Sequence, residues 1–281
     1  MTAAAIIQAR MTSTRFPGKV LAELDGQPML SYMLKRVLRS KCLAQVVVAT
    51  TTNDTDGPII DLCDNLGVRT YRGDEFDVLG RYAAASETVD ADILVRLTAD
   101  CPLMDPLLID HAVNLFQVNE YDYLSNAIEL TYPDGLDIEV FAKSALLKAH
   151  REATLPFHRE HVTPYMRSGV YNDIPTGEFR TGTFSAQADF SHLRWTVDTS
   201  DDLRRIRALV RQLPDDYGWM DALSVLTRRP EIMETMDPFI SGGDMIETVT
   251  LEGSTFQKGP QKFEAGTPRI AEAFGWHAAV K

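Results

Sequence analysis

The chain has 281 residues, of which 44% are hydrophobic and 24% charged, a composition typical of a globular protein. It carries 40 acidic and 28 basic residues, a net charge of −12 that excludes a general nucleic-acid-binding protein, since such proteins need a basic surface. Its three cysteines form no CxxC pair, which excludes a disulfide framework and a cysteine zinc motif.

The N-terminal residues do not have the pattern of a secretory signal. The apolar run AAAIIQA is too short, and basic residues follow it instead of preceding it. No stretch approaches the 18 apolar residues of a membrane span. We therefore predict a cytoplasmic protein with neither a membrane nor a nucleic acid among its partners.

Four short apolar runs in the first half predict buried strands, the fourth more weakly than the others. They cover residues 3–9, 45–51, 92–98 and 121–127. Apolar residues at helical spacing lie between them, and strands alternating with helices predict an α/β fold with a mostly parallel sheet. Ligands of such sheets bind beyond the carboxyl ends of the strands, which directs attention to the loops at Arg10, Thr50 and Asp100.

The second half has a different pattern. We predict strands at 136–141 and 193–197, two further β-like stretches at 169–174 and 181–190, and helices at 144–152, 156–167 and 201–213. The domain is expected to occupy residues 1–236. Residues 237–281 are glycine-rich, and we expect this appended tail not to form an independent functional domain.

A basic loop follows the first predicted strand. It carries Arg10, Arg15 and Lys19, with the Ser13 hydroxyl and Gly18 among them. Guanidinium groups and backbone N–H groups match phosphate oxygens, so the loop is a candidate polyphosphate site, although it lacks the glycines of a P-loop. The alternative is a solvated cationic loop that binds no ligand. The density of charge in this loop and its position after a strand favour phosphate binding.

Two aspartates are placed to hold a cation. Asp100 follows the strand at 92–98, and Asp198 follows the strand at 193–197. Carboxylates at strand ends can bind Mg²⁺ against a triphosphate, because this ion prefers hard oxygen ligands. On the sequence alone, a turn aspartate is an equally good interpretation of Asp100.

Further polar segments are candidates for binding a nucleotide or an acidic substrate. A helix cap is the alternative role for Asp74, and an ordinary turn is the alternative for the acidic turn PDGLDIE at 133–139. Asp54 and Asp56 match a DxD metal motif by their spacing alone. The candidate residues are Arg72 and Asp74 for the nucleotide, and Asp134, Asp137, Glu139, Arg159 and His161 for the substrate.

Taken together, these segments resemble the cytidylyltransferases that make CMP-activated acidic sugars, with the spore-coat polysaccharide type as the nearest subgroup. The resemblance covers about residues 5–228 in family order. The matching strings are IIQARMTSTRFPGKVL, YRGDEFDVLGRY, LVRLTADCPLMDP, PDGLDIEVF, REHVTPYM and RWTVDTSDDL.

This resemblance implies a Rossmann-like nucleotidyltransferase fold with a small dimerisation subdomain, and hence a homodimer. It implies that CTP and Mg²⁺ are used and that pyrophosphate is released. Arg10, Ser13, Arg15 and Lys19 would hold the triphosphate, and Asp100 and Asp198 the metal. Arg72, Asp74 and Arg81 would lie near the nucleotide or the sugar. The string ADCP at 99–102 departs from the GDEP of related enzymes, which leaves the sugar open.

The tail resembles another family. Residues 238–280 are similar to an internal piece of a pyridoxal-phosphate-dependent cysteine desulfurase. The lysine segment that binds the cofactor and the loop of the nucleophilic cysteine have no counterpart in the sequence, so we assign no desulfurase activity to the tail.

The predicted function is transfer of CMP from CTP to an acidic sugar, with Arg10, Lys19, Asp100 and Asp198 as the catalytic residues. One alternative is a nucleotide-sugar glycosyltransferase, which would need the DxD motif and would release no pyrophosphate. The other is a nucleotide-binding protein without catalytic activity, which would bind CTP without turnover.

Overall fold

The computed structural model of the chain describes residues 1–170, 174–234, 247–251 and 254–258. Of the tail at 237–281, only two short strands are therefore described, and they pair in antiparallel fashion. The expectation that this tail forms no independent functional domain otherwise lies outside the described residues.

Eleven strands lie in the described part of the chain. In chain order they are β1 (Ala3–Gln8), β2 (Glu23–Leu24), β3 (Gln27–Pro28), β4 (Leu43–Thr51), β5 (Arg69–Gly73), β6 (Ile93–Thr98), β7 (Tyr123–Ser125), β8 (Glu139–Ala142), β9 (Thr181–Thr183), β10 (Glu247–Leu251) and β11 (Ser254–Lys258). Seven of them form the main sheet in the order β5-β4-β1-β6-β8-β7-β9. The pairs within β5-β4-β1-β6 are parallel, while β8 runs antiparallel to both neighbours. The predicted α/β fold with a mostly parallel sheet is confirmed.

Nine α-helices are described. They are α1 (Met29–Val37), α2 (Gly57–Asn65), α3 (Val78–Ser86), α4 (Pro106–Asn119), α5 (Lys143–Glu152), α6 (Pro156–His161), α7 (Ser200–Val210), α8 (Trp219–Arg228) and α9 (Glu231–Glu234). Among the residues that the structure describes, no helix is long and apolar enough to cross a membrane.

The sheet separates two apolar clusters, as expected for strands buried on both faces. Ile6 belongs to one cluster and Ile7 to the other, and neither side chain is exposed to solvent. Side chains alternate across a strand, so a continuous apolar run fills both faces at once. Full burial of one isoleucine stabilises the fold by roughly 1.5–3 kcal/mol.

Several predicted elements differ from the structure. The segment at 193–197 is not a strand; it makes one isolated bridge, between Arg194 and Asp134. The helix predicted over 156–167 ends at His161, and the β-like stretch at 181–190 is a strand only over Thr181–Thr183. The stretch predicted at 169–174 includes residues outside the described ranges. β5 carried no recognisable pattern, because its residues are only partly buried.

The parallel strands β4, β1 and β6 end at one edge of the sheet. Gln8, the last residue of β1, lies opposite Ala49 of β4 and Thr98 of β6. The segment before Asp198 reaches the same edge through a hydrogen bond from the Val197 N–H to the Asp100 carbonyl, 2.9 Å long. The predicted convergence of loops beyond the strand ends is therefore present.

Candidate active site

A cleft of about 850 Å³ opens at this edge of the sheet. The basic loop after β1 forms one wall, the ends of β6 and of the 193–198 segment form the floor, and the segment before α3 together with α6 forms the other wall. Among its lining residues are most of the predicted site residues, namely Arg10, Ser13, Arg15, Lys19, Asp74, Asp100, Arg159, His161 and Asp198.

Lys19 joins the two predicted metal ligands on the floor of the cleft. Its ammonium nitrogen lies 3.0 Å from Asp100 Oδ2 and 2.9 Å from Asp198 Oδ1, and it also donates to the Val197 carbonyl at 2.9 Å. Burial alone would lower the pKa of Lys19, but the two carboxylates outweigh that effect and raise it. The two aspartates thus lie side by side although 98 residues separate them in sequence.

Two arginines complete this group. Arg15 lies 2.9 Å from Asp198 Oδ2, and Arg194 pairs with the same carboxylate. Burial would raise the pKa of Asp198, but Lys19 and the arginines hold it below its usual value. We call these five residues, Lys19, Asp100, Asp198, Arg15 and Arg194, the cleft cluster.

Sequence analysis did not identify Arg194. Its guanidinium also lies 2.5 Å from Asp134 Oδ2, and the other oxygen of Asp134 accepts from the Thr196 hydroxyl at 2.7 Å. Asp134 therefore orients the arginine that faces Asp198. Arg194 is the first residue of the RWTVD string, and this was the available signal, but only the tertiary structure pairs it with the turn at 134.

The basic loop is attached to the sheet by a buried carboxylate. Asp56 accepts the Met11 N–H at 2.8 Å through one oxygen. Its other oxygen accepts from the Thr50 hydroxyl and from both the N–H and the hydroxyl of Thr51. Burial would raise the pKa of Asp56, but these donors lower it.

That environment disagrees with the DxD hypothesis. Asp56 is fully buried and bonded to four donors, while Asp54 is exposed. The two side chains therefore do not present a joint carboxylate pair to a ligand. The pair of accessible carboxylates that a glycosyltransferase would require is therefore missing from this segment.

Glu75 was also missed by sequence analysis. Its carboxylate accepts from Asn53 Nδ2 at 2.7 Å and from the Thr12 hydroxyl, and it lies 3.4 Å from Arg10. The hydrogen bonds from Thr12 and Asn53 lower its pKa. Glu75 thus ties the basic loop to the opposite wall of the cleft.

Asp74 and Arg159, two predicted site residues of that opposite wall, are held in place by hydrogen bonds. Asp74 accepts the N–H groups of Phe76 and Asp77 through one oxygen, at 2.7 and 2.8 Å, so it shapes the loop that precedes α3. Arg159 Nε donates to Asp77 Oδ1 at 2.8 Å, and its Nη2 donates to the other oxygen of the same carboxylate. Both residues line the cleft as well.

Four predicted residues lie outside the cleft walls. The Arg72 guanidinium donates to the carbonyls of Thr51 and Asn53 at 3.0 and 3.1 Å. Asp137 is exposed on the surface, and Asp134 supports Arg194. Glu139 is buried beneath the floor, because β8 pairs it directly with Arg96 of β6. Direct ligand contact by these four residues stays a prediction without support in this geometry.

The donor set of the cleft floor fits a hard divalent cation. The two carboxylates share one ammonium group, and Mg²⁺ is commonly bound by one or two carboxylates together with substrate phosphates and water. No group of three or more His, Cys, Asp or Glu side chains suited to a metal is found among the described residues. That Asp100 and Asp198 hold such an ion stays a prediction.

Comparison with known proteins decides the family. The sequence model of the family described as cytidylyltransferase matches residues 4–217. This chain belongs to the cytidylyltransferase family. The spore coat polysaccharide biosynthesis protein SpsF of Bacillus subtilis is 33% identical over 236 residues, which are 80% of this chain and 94% of that protein.

Two further relatives of this cytidylyltransferase differ in coverage. The solved structure of a cytidylyltransferase from Leptospira borgpetersenii serovar Hardjo-bovis has a TM-score of 0.78 and 33% identity, and the match covers 84% of this chain and 98% of that one. The 3-deoxy-manno-octulosonate cytidylyltransferase of Trichlorobacter lovleyi is 36% identical over 121 residues, 42% of this chain and 46% of that protein. The chain spans only 44–60% of the length of several curated relatives.

The C-terminal resemblance to a pyridoxal-phosphate enzyme is also supported by a family model. The sequence model of the family described as aminotransferase class-V matches residues 221–281. The match begins within α8, so it overlaps the last helices of the described domain as well as the tail.

Proposed function

We propose that this cytidylyltransferase transfers CMP from CTP to an acidic sugar and releases pyrophosphate, in the synthesis of a surface polysaccharide or related glycan. One observation carries the proposal: Asp100 and Asp198 meet at Lys19, directly beside the basic loop, at the edge of the sheet where ligands of α/β folds bind.

The basic loop provides the groups that a triphosphate needs. Arg10 and Arg15 are about half exposed at the cleft, and Ser13 adds a hydroxyl. Guanidinium groups form strong charge-assisted hydrogen bonds with phosphate oxygens. In this proposal Arg10, Ser13, Arg15 and Lys19 hold the triphosphate and stabilise the leaving pyrophosphate.

Asp100 and Asp198 would hold Mg²⁺. When bound there, the ion would neutralise charge on the phosphates and lower the pKa of a bound hydroxyl. The protein's own residues position the partners: the cleft cluster keeps the two carboxylates together, and the floor of the cleft orients the attacking group.

The wall formed by α6 is the proposed acceptor side. Arg159 and His161 line it, and Arg96 lies on the floor between it and the basic loop. Cationic and imidazole groups suit a sugar carboxylate, which agrees with the name of the relative from T. lovleyi. The homodimer and the cytoplasmic location stay predictions.

The test is pyrophosphate release from each of the four nucleoside triphosphates with Mg²⁺ and a panel of 2-keto sugar acids. We expect release with CTP and at least one acid. We expect none when that acid is replaced by the uncharged analogue whose carboxylate is reduced to an alcohol. Thermal shifts with the same nucleotides report binding separately from turnover. Absence of both release and nucleotide binding would refute the proposal, and binding without release would favour the inactive alternative.

A further inference from the structure

The backbone at Val162 is unusual. Its φ is 70° and its ψ is −58°, and the Thr163 N–H donates to the His161 carbonyl at 2.8 Å. These values and this contact define a classic γ-turn, a rare and strained conformation. Positive φ is a genuine outlier for a β-branched residue, and Val162 is also completely buried.

The proline that follows does not account for this turn. A helix commonly ends before the residue that precedes a proline, which explains why α6 stops ahead of Pro164. Thr163 itself, however, has φ −97° and ψ −14°, a helical conformation that a following proline disfavours. Two successive residues therefore adopt unfavourable conformations, which requires that surrounding contacts hold them there.

A buried carboxylate provides those contacts. Glu139 Oε1 accepts from the Thr163 hydroxyl, from the Tyr123 hydroxyl and from Arg167 Nη2, each at 2.6 Å. The other oxygen of Glu139 accepts from Arg96. We call these five residues, Glu139, Thr163, Tyr123, Arg167 and Arg96, the interior cluster.

The interior cluster reaches the cleft at two points. His161, which lies two residues before Thr163, lines the cleft. Arg96 lines it as well and donates to Gln8, another lining residue, at 3.1 Å. One carboxylate therefore holds both the turn behind His161 and the arginine on the floor.

We propose that Glu139 and Thr163 are positioning residues that fix His161 in the acceptor wall through the strained turn at Val162. That His161 meets an acidic sugar rests on the proposed function; that the turn orients His161 rests on the structure alone. A strained turn maintained by a dedicated buried carboxylate is typical of a site where side-chain placement matters more than local backbone stability.

Thr163 is the residue at which to test this, since removing Glu139 would take away the common anion of two buried arginines. Thr163→Val removes the hydroxyl at nearly constant shape, and Thr163→Ser retains it. We expect Thr163→Val to raise the KM for the sugar acid about tenfold, in line with loss of a hydrogen bond to a charged group, and to leave the KM for CTP unchanged. Thr163→Ser should restore the wild-type value.

A double-mutant cycle then asks whether Thr163 acts through His161. In a His161→Ala background, Thr163→Val should have almost no further effect on the KM for the sugar acid, because the side chain that it positions is gone. Equal effects in both backgrounds, or an equal rise in the KM for CTP, would overturn the proposal.

A measurement without turnover separates this inference from the proposed function. The chain has six histidines, so the ring resonances of histidine-labelled protein can be resolved by NMR, and His161→Ala identifies the signal of His161. We expect Thr163→Val to shift that resonance and Thr163→Ser to leave it in place. If no sugar acid is turned over, the proposed function fails while this test still applies. An unchanged His161 resonance in folded Thr163→Val would refute the positioning role.

Discussion

The cleft cluster and the interior cluster contain the same chemistry in different surroundings. In the first, Asp100 and Asp198 are 27% and 16% exposed and Arg15 is 46% exposed. In the second, the Glu139 side chain is 4% exposed, and its partners Arg96 and Arg167 are 15% and 10% exposed. Both groups join carboxylate oxygens to several cations, yet only the carboxylates of the first group are open to ligands.

This difference assigns different tasks to similar residues. A partly exposed carboxylate can exchange a protein cation for a ligand, since water and ions reach it and screen its charge. A buried carboxylate cannot exchange partners without leaving charges unpaired, so it holds the structure in one arrangement. The cleft cluster is therefore suited to binding, and the interior cluster to fixing the walls around it.

The largest expected effect comes from neutralising the interior cluster. Glu139→Gln leaves Arg96 and Arg167 buried without their common anion, and we expect the free energy of unfolding to fall by about 3–5 kcal/mol. Urea denaturation measures it. Glu120→Gln, which breaks a pair with Arg180 whose glutamate is 81% exposed, is the matched control and should change stability by less than about 1 kcal/mol. Similar losses in both variants would contradict the comparison.

Neutralising the cleft cluster should reduce activity rather than stability. Asp198→Asn removes the charge that faces Lys19 and Arg15, and we expect kcat for pyrophosphate release to fall about 10²–10³-fold. Asp201→Asn, three residues further on, alters an exposed pair with Arg204 and should retain wild-type activity. A loss of less than tenfold in Asp198→Asn would remove this carboxylate from the proposed mechanism.

Low pH should reduce the stability of the fold through the interior cluster. Arg96 and Arg167 outweigh the effect of burial and hold the pKa of Glu139 well below its usual value near 4.5. A depressed pKa stabilises the fold above the unfolded value, and this contribution is lost as pH falls below about 4.5, by up to about 1.4 kcal/mol per pH unit. Urea titrations between pH 6 and 3 should show a flatter dependence for Glu139→Gln than for wild type. Parallel curves would show that the pKa of Glu139 is the same in the folded and the unfolded protein.

The smallest effect is expected at Arg72. Its guanidinium is bonded to backbone carbonyls behind the cleft wall, so we expect Arg72→Ala to change the KM for CTP less than about threefold. Arg15→Ala, which removes an arginine from the cleft cluster, should raise that KM by about tenfold or more. Steady-state kinetics on both variants decide between a direct and an indirect role. A larger effect at Arg72 would support the nucleotide contact that the sequence predicted.

Much of the fold and part of the site could be predicted from local patterns. The continuous apolar run around Ile6 and Ile7 predicts a strand buried on both faces, and the structure confirms it. Asp105 before Pro106 predicts a helix start, and its carboxylate does accept the Leu107 and Leu108 N–H groups. By contrast, the helix predicted from residue 201 makes Ser200 the natural choice of cap, but Thr199 caps α7 through a reciprocal arrangement with Asp202. A shift of one residue is invisible to a pattern that several hydroxyl residues satisfy.

Other features depended on contacts between distant segments. Glu139 and Asp134 belong to one acidic turn, yet β8 directs Glu139 into the interior beside Arg96, while Asp134 contacts Arg194. The sequence shows their charges but not their partners, which lie 43 and 60 residues away. The same holds for the turn at Val162, whose backbone conformation no residue type there would suggest.

The fold class, the family and the three segments whose polar residues meet at the cleft could be read from the sequence, because they depend on hydrophobic periodicity and on short strings of residues. Which acidic residues face the cleft and which are buried could not, because burial depends on strand pairing between distant segments. Charge is a property of the residue, whereas its accessibility to a ligand is a property of the packing around it.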